Sequence, residues 1–489
     1  MTTFSSGIKA WGAFIPRLRM ARSSIAHAHA WAFPQARGSG EKAFCNWDED
    51  AITLAVEAAR DCLGTAGTGE VKNLMFASTT APFADLCNAS LIASALRLPS
   101  QLCSSDLGGS IRAGLSALAD RLSQPQSDGD QLLLASERRA AKPASPQEQR
   151  YGCGAAALLV GHEDLAARFL GREASSTPFT DHFRHTGEQY DYYWEERWIR
   201  DEGIARQVPT AVRTLLERLN ISAEQVAYFG LAGGPPGSDT LVAKTLGIPL
   251  HAIRPTLSQR VGDTGTAHAP LLLVDALEHS QPGDIIVIAA FAQGCEVVAF
   301  ERQAGGNAPD TGLQGSIDAG VVEPSYLKML SFDNEVRLDW GPRAEIEIKA
   351  ALSQLHRSSE QIFGFVGGQC STCGTVQFPS LVNCVNCCAS DTQAPAPLAD
   401  CPAKLATWSA DWLMYYPSPP LYVGLVQFDN GARVLMEVVD VDPEGLDVGT
   451  PLRMALRVKA RDSLRHFDRY FWKAVPVQQP LSKTVSVHG

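Results

Sequence analysis

The sequence predicts a large α/β domain made of two similar halves, then a zinc ribbon and a small closed β-barrel. Three observations carry this. Residues 50–302 run twice through the same order of helices and strands. Two Cys hooks, Cys370-Ser-Thr-Cys373 and Cys384-Val-Asn-Cys387, stand ten residues apart. After Cys401, short stretches of alternating apolar and polar residues are separated by turn residues.

The repeat comes first in the chain. Ile52–Leu63 places apolar residues at helical spacing and leads to a strand, Val71–Ala77, just as Val208–Leu219 leads to Val226–Ala232. A helix and a short strand entrance follow, Ile92–Pro99 in one half and Leu241–Pro249 in the other. Each half then has a Gly-rich turn opening a buried helix, Gly108–Gly114 and Gly262–His268. Gly129–Ala135 and Gly283–Ala289 close the pattern as apolar strands after tight turns. The offset stays near about 150 residues throughout, which points to duplication.

Composition bounds the function. A chain of 489 residues implies about two to four domains. Hydrophobic residues at 45% and charged residues at 19% describe a packed globular protein. A net charge of -11 and a pI near 5.5 argue against a nucleic-acid partner. No apolar run reaches the roughly 18 residues of a membrane helix. The expected boundaries are 1–170 and 171–302 for the halves, 303–360 for a linker with helices, 361–393 for the ribbon and 394–489 for the barrel.

Residues 303–315, rich in Gly and short polar side chains, are expected to form no element, and 323–357 to hold helical pieces, Tyr326–Leu330 and Ile346–Leu355. In the ribbon, Cys370, Cys373, Cys384 and Cys387 supply the four sulfurs of a tetrahedral zinc cage, with no position open to water, so the site is structural. Cys388 competes as a ligand, but regular spacing favours Cys387. No secretory signal is read in Met1-Thr-Thr-Phe-Ser, so a reducing, cytoplasmic setting is expected and the other eight Cys are read as buried thiols. In the barrel, Tyr422–Phe428 and Arg433–Val439 flank an Asn-Gly turn, and Leu452–Val458 alternates with period two, which fits an OB-fold.

Four segments resemble hydroxymethylglutaryl-CoA synthase and its relatives in the thiolase superfamily, over about 300 residues. They are Gly7–Arg17, Asn46-Trp-Asp-Glu-Asp50 before a helix, Ser136–Pro143, and Tyr151–Gly161. The resemblance implies a duplicated five-layer thiolase-like fold, a homodimer, and coenzyme A as substrate or product. Gly368–Pro379 and Arg469–Pro476 resemble the zinc-ribbon and OB-fold domains that accompany thiolase-like proteins.

In that family a Cys at the start of the buried helix attacks an acyl thioester, a His of the second half assists, and a Glu of the first half moves the proton. Laid on the family pattern, Ile111-Arg-Ala-Gly-Leu-Ser-Ala117 puts Ile111 at the nucleophile position. The His falls near Ala232 or Gly233, and the Glu near Thr80. All three are missing, and Ile can form no acyl-enzyme.

The remaining polar candidates are few. Ser110 is read as a helix cap or a displaced nucleophile, and Cys103 as a buried thiol or a nucleophile. Asp263 and His268 are read as turn chemistry or as an acid/base pair. Asp85 lies on the loop that the resemblance directs across a dimer. Asp191–Glu202 is read as a solvated helix with a Glu196–Arg200 ion pair, or as a pocket wall or dimer contact. Arg461, Arg465, Arg469 and Lys473 are read as a basic patch, for a CoA phosphate or the large domain.

Together these point to CoA-dependent acyl transfer, or to making or breaking a carbon–carbon bond by Claisen, retro-Claisen or aldol chemistry. The substrate expected is a β-keto acid or a β-keto or β-hydroxyacyl-CoA. The alternative is a scaffold without catalysis, with the OB-fold as a binding module. No nucleic-acid or membrane partner is expected.

Overall fold

A reciprocal capping box starts the first long helix, with Thr53 N donating to Asp50 Oδ1 and Asp50 N donating to Thr53 Oγ1, each at 2.9 Å. The computed structural model describes residues 6–64, 71–124, 129–343, 349, 351–442 and 445–477, which divide into two units, Met1–Leu338 and Asp339–Gly489.

In the first unit, the first half comprises β1 (Gly7–Phe14), α1 (Ala51–Leu63), β2 (Val71–Ala77), α2 (Asn88–Ala95), β3 (Cys103–Leu107), α3 (Ala113–Leu122), β4 (Asp130–Arg138) and β5 (Cys153–Gly161). The second comprises β6 (Ala167–Ser176), α4 (Ala205–Leu219), β7 (Val226–Ala232), α5 (Ser238–Leu246), α6 (His268–His279), β8 (Ile285–Phe291) and β9 (Gly294–Arg302). These strands make one sheet in the order β7-β8-β9-β6-β1-β5-β4-β2-β3. The duplication is legible in the pairings. β1–β5 and β6–β9 are antiparallel, as are β5–β4 and β9–β8, whereas β4–β2 and β8–β7 are parallel. β3 has only the single turn Leu250–Ala252 as its counterpart.

One core cluster joins α3 and α6, through Leu115, Leu118, Leu271 and Leu273, to β1, β4, β5, β8 and β9, so, like α1, the two helices after the Gly-rich turns are buried. Gly114 lets them approach, because a Cβ there would lie 2.5 Å from Thr266 O. A second cluster packs α4 and α5 on the other face of the second half.

The string 303–315 departs from expectation, since a helix spans Gly312–Asp318. Its orphan N–H groups find carboxylates on other helices. Asp61 accepts from Thr311 N and Gly312 N at 3.1 Å, and Glu278 accepts from Leu313 N at 2.6 Å. Val321–Val322 then pairs with Leu18–Ala21, and Tyr326–Phe332 packs into a small core with Met20 and Phe44. Much of the expected linker therefore belongs to the first unit. The expected helix at Ile346–Leu355 begins outside the described residues, and the described helix there is Leu352–Arg357.

In the second unit, β10 (Val366–Cys370), β11 (Val376–Gln377) and β12 (Gln393–Pro397) form the ribbon sheet. β13 (Ala403–Asp411), β14 (Leu421–Phe428), β15 (Arg433–Val438), β16 (Pro451–Asp462) and β17 (Phe467–Pro476) close a five-stranded barrel. Gly431, at φ 89°, makes the expected Asn-Gly turn.

The basic patch is not an open surface. Its residues lie along a β-hairpin, where sequence spacing does not gather them on one side. Arg461 lies 3.5 Å from Asp468, Arg465 lies 2.9 Å from Asp462, and Arg469 reaches Lys349 O at 3.4 Å. Lys473 is buried, 2.7 Å from Glu437.

Candidate active site and four-cysteine cluster

The turns that carry polar residues leave the C-terminal ends of the parallel strands, where open α/β sheets place their ligands. The turn Val261–His268 follows instead the short helix Thr256–Arg260, and it packs against Arg150–Gly152. Gly152 N donates to Asp263 O at 2.9 Å and Asp263 N to Arg150 O at 2.7 Å. Gly is required on both sides, because a Cβ on Gly152 would lie 2.1 Å from Val261 O and one on Gly262 2.7 Å from Arg150 O.

This turn presents Asp263 and His268 to a cavity of about 1030 Å³, also lined by Tyr151, Tyr193, Gly233 and Leu272. His268 Nδ1 accepts from Thr264 N at 3.3 Å, which leaves the ring proton on Nε2. Among the described residues Nε2 has no hydrogen-bond partner. Burial, with help from Arg139, lowers the His268 pKa against the pull of Asp263, so the ring is neutral. Desolvation would raise the Asp263 carboxyl, but Arg139, His268 and the Gly265 N–H outweigh it and hold the group below the ordinary carboxylate value. The cavity rim carries Arg22 and Arg37, which bond only to backbone carbonyls: Arg22 to Gln149, Ser39 and Ser258, Arg37 to Pro34 and Ala36. Among the described residues neither makes an ion pair, although Glu41 is close enough to act on Arg22 electrostatically.

Behind Asp263 lies a buried charge network. Arg139 Nη1 lies 2.9 Å from Asp263 Oδ2, Arg139 Nη2 lies 2.9 Å from Asp191 Oδ2, and the guanidinium sits 3.3 Å from the Tyr151 ring centroid. Tyr151 Oη donates to Asp191 Oδ2 and Arg184 Nη1 to Asp191 Oδ1, both at 2.9 Å. Burial would raise the Asp191 carboxyl, yet Arg139 and Arg184 pull it below its ordinary value. Glu137, fully buried, accepts from Thr79 N at 2.8 Å, Thr80 Oγ1 at 2.5 Å and Thr266 Oγ1. Thr80, the position aligned with the family's Glu, therefore serves a neighbouring carboxylate.

A second cavity, of about 740 Å³, opens at the N-terminus of α3. Ile111 and Ser110 both line it, with Thr79, Phe83, His182, Phe183, Arg184 and Gln293. Ser110 Oγ donates to Gln293 Oε1 at 3.3 Å and accepts from Arg112 N at 3.4 Å, so it works in part as a turn cap. Cys103 stands at the opposite end of β3 from the Gly108–Ser110 turn, exposed, and lines neither cavity. Asp85 is exposed and also lines neither, although Phe83 and Ala84 line the second.

The segment Asp191–Glu202 is not one solvated helix. Asp191 is buried in the network, Tyr192–Tyr193 pairs with His182–Phe183, and a short helix starts only at Glu196. Glu196 pairs with Arg150, and Arg200 with Asp201, instead of with each other. The pull of buried Arg139 on Asp191 overrides the local helical pattern. The pocket-wall reading fits Tyr193 in the first cavity and Asp191 in the second.

In the second unit, the sulfurs of Cys370, Cys373, Cys384 and Cys387 all lie within 4.8 Å of one another. Cys370 and Cys387 are 3.7 Å apart and Cys373 and Cys384 3.6 Å. A tetrahedron with metal–sulfur bonds of about 2.3 Å has edges of about 3.8 Å, so these four fit a zinc ion. Cys388, with φ 59°, is exposed and outside the cluster.

Sequence reasoning missed Glu137, Arg139, Arg184, Asp181, His182 and Gln293. One signal was available: Glu137-Arg138-Arg139 places three charges at the end of a strand whose centre, Leu132–Ala135, is apolar. A run of charge where a buried strand ends marks buried ion pairs or a site.

Comparison with known proteins adds to this geometry. Residues 403–457 match the family model described as the ChsH2 C-terminal OB-fold domain. The chain is 29% identical over 306 residues to a hydroxymethylglutaryl-CoA synthase of Caldivirga maquilingensis, covering 60% of this chain and 86% of the relative. It is 28% identical over 364 residues to that of Aeropyrum pernix, covering 72% and 96%. Among solved structures, 3-oxoacyl-(acyl carrier protein) synthase III from Pseudomonas aeruginosa superposes with a TM-score of 0.54 at 20% identity, over 62% of this chain and 100% of that one. MvaS in complex with 3-hydroxy-3-methylglutaryl coenzyme A superposes with a TM-score of 0.53 at 15% identity, over 70% and 94%. The chain is thus similar in sequence to hydroxymethylglutaryl-CoA synthases over most of their length, and it has a thiolase-like fold and a C-terminal OB-fold domain.

Proposed function

We propose that this chain is an enzyme of the acyltransferase and condensing type, making or breaking a carbon–carbon bond beside a CoA thioester. Within the Claisen, retro-Claisen and aldol alternatives, the aldol type on a β-hydroxyacyl-CoA is the best supported. The observation that carries it is Ile111. Claisen chemistry in thiolase relatives passes the acyl group through a nucleophile at this position, whereas an aldol step transfers no acyl group and needs only proton movement and a stabilised enolate.

The first cavity supplies groups for both. Asp263, held ionised by Arg139, takes the α-proton of the thioester. His268, neutral with its proton on Nε2, donates to the developing enolate oxygen. Arg22 and Arg37 at the rim suit the phosphates of CoA. The MvaS structure, solved with 3-hydroxy-3-methylglutaryl coenzyme A, and the names of the homologues support a β-hydroxyacyl thioester. An apolar, filled pocket would favour a scaffold; the cavity here is open and carries polar groups among its apolar walls.

The same reading includes structural zinc on Cys370, Cys373, Cys384 and Cys387, and a reducing cytoplasmic setting in keeping with the eight other cysteines, which form no disulfide among the described residues. It also includes a homodimer, supported by β3, which pairs with β2 on one side and has no strand on its outer edge among the described residues. No helix of the described residues is long and apolar enough to cross a membrane.

The test is incubation of purified protein with CoA and a panel of β-keto acids and β-keto and β-hydroxyacyl-CoAs, read by mass spectrometry for products and protein adducts. Cleavage of β-hydroxyacyl-CoAs without an adduct is expected. An acylated Ser110 or Cys103 would replace the aldol reading with a displaced nucleophile, and silence across the panel would favour the scaffold.

A further inference from the structure

An aldol step needs a third group, one that gives a proton to the oxygen of the attacked carbonyl and takes it back in cleavage. Asp263 and His268 serve the α-carbon and the thioester oxygen, so the third group must be another side chain of the first cavity. Its volume of about 1030 Å³ is that of a pocket for a whole ligand. Arginines line it but keep their protons. Besides Asp263 and His268, the lining side chains that exchange protons are Tyr151, Asp239 and Tyr193.

Two of these three are engaged elsewhere. Tyr151 donates to Asp191 Oδ2 at 2.9 Å. Asp239 Oδ1, at the start of α5, is held as an acceptor by Thr240 N at 2.6 Å and Thr240 Oγ1 at 3.3 Å. Tyr193 differs, because among the described residues its hydroxyl has no hydrogen-bond partner.

The Tyr193 ring is held in place. It packs against the core of the second half, pairs with His182 across a short ladder and stacks on the His182 ring at 6.1 Å and 26°. His182 Nδ1 lies 2.8 Å from Asp181 Oδ2, and Gln293 Nε2 donates to Asp181 Oδ1, so the face against which Tyr193 lies is itself fixed. Burial, and then Asp263, raise the Tyr193 pKa against the pull of Arg150, so the phenol keeps its proton at rest. Once Asp263 has taken a proton its charge is gone, and the phenol becomes a better acid.

We infer that Tyr193 is the acid/base at the β-oxygen, and that enolate carbon and carbonyl carbon meet in this one cavity. This rests on the aldol reading. In the condensing direction Asp263 takes the α-proton, the α-carbon bonds to the carbonyl carbon, and the carbonyl π pair moves to its oxygen. That oxygen takes the Tyr193 proton. The proton on Asp263 then passes to the phenolate, directly or through water, and both groups are restored. In cleavage a proton moves from Tyr193 to Asp263 and the phenolate takes the β-hydroxyl proton. The carbon–carbon pair returns to the α-carbon, which Asp263 reprotonates. No oxidant or other co-reactant is consumed.

Two rates on the full-length protein separate this from the aldol reading itself. Exchange of the α-protons of acetyl-CoA in deuterium oxide reads Asp263 and His268, and cleavage of the β-hydroxyacyl-CoA identified by the panel above reads the third group as well. Tyr193→Phe keeps the ring and its stacking and removes only the hydroxyl. It should slow cleavage by about 10²-fold or more and keep α-proton exchange within about threefold. Asp239→Asn should leave cleavage within about threefold. Cleavage by Tyr193→Phe within about threefold of wild type would overturn the assignment. So would parallel loss of exchange and cleavage, since Tyr193 would then only shape the cavity, and so would slowing by Asp239→Asn in place of Tyr193→Phe. Wild-type protein inert in both assays would overturn the aldol reading, and this assignment with it.

Discussion

Replacing Arg139 by Met removes the cation that two carboxylates share. The Arg139 side chain is 5% exposed and lies 2.9 Å from both Asp191 and Asp263, which are 7% and 33% exposed. Met fills most of the aliphatic volume, so the cost is chiefly electrostatic. Asp191 keeps Arg184 and the Tyr151 hydroxyl, and Asp263 keeps Gly265 N, which places the loss near the lower end of the range for breaking a buried pair, about 3 kcal/mol. Loss of the Tyr151 stacking adds about 1 kcal/mol. The sign of the pH effect follows from the depressed pKa values of Asp191 and Asp263. Stability from this pairing is present above the unfolded carboxylate pKa of about 3.9 and is lost as pH falls through the folded values. In the variant the carboxylates lose their main cation, and protonation relieves them, so the difference from wild type should narrow as pH drops from 7 towards 4. Urea unfolding followed by circular dichroism measures this at each pH, with the double variant Arg139→Met/Asp191→Asn as partner. A loss below about 1 kcal/mol at pH 7, or one that stays constant down to pH 4.5, would refute the shared-cation reasoning.

Three further outcomes are expected. Metal analysis should return about one Zn per chain; Cys373→Ser should release it and Cys388→Ser should not, since only the former sulfur belongs to the cluster. His268→Asn should slow acetyl-CoA α-proton exchange by about 10²-fold while leaving the unfolding midpoint near wild type, as measured by NMR and denaturation. Gly114→Ala should destabilise the first unit by about 1–3 kcal/mol, because the added Cβ would lie 2.5 Å from the backbone oxygen of Thr266; an unchanged midpoint would mean that the α3–α6 crossing relaxes freely.

The elements legible in the sequence were those written in local pattern. Helical periodicity in Ile52–Leu63, apolar runs such as Gly129–Ala135, and Gly-rich turns before α3 and α6 each reflect forces within a few residues. The Cys spacing was readable for the same reason, since each hook is a single turn that aims two sulfurs at one point. Where expectation failed, a distant partner intervened. Residues 303–315 look like a loop until Asp61 and Glu278 arrive to cap the helix Gly312–Asp318. Asp191–Glu202 left a solvated helix and a pocket wall both open until Arg139 held Asp191 and Tyr193 lined the first cavity.

The site divides along the same line. Ile111 stands where the resemblance expects a Cys, and Asp263 and His268 were visible because one short turn carries both. Which of them is charged was not, since that depends on Arg139 beside Asp263 and on Thr264 N at the His268 ring. Asp181 and His182 gain meaning only when the strand ends bring Gln293 and Ser110 beside them. The sequence alone determined the two halves, the four-cysteine cluster and the barrel, because each is encoded by spacing along the chain. Only the tertiary structure decided the charge network, the two cavities and the polarity of each histidine, because these depend on distances through space between residues that are remote in sequence.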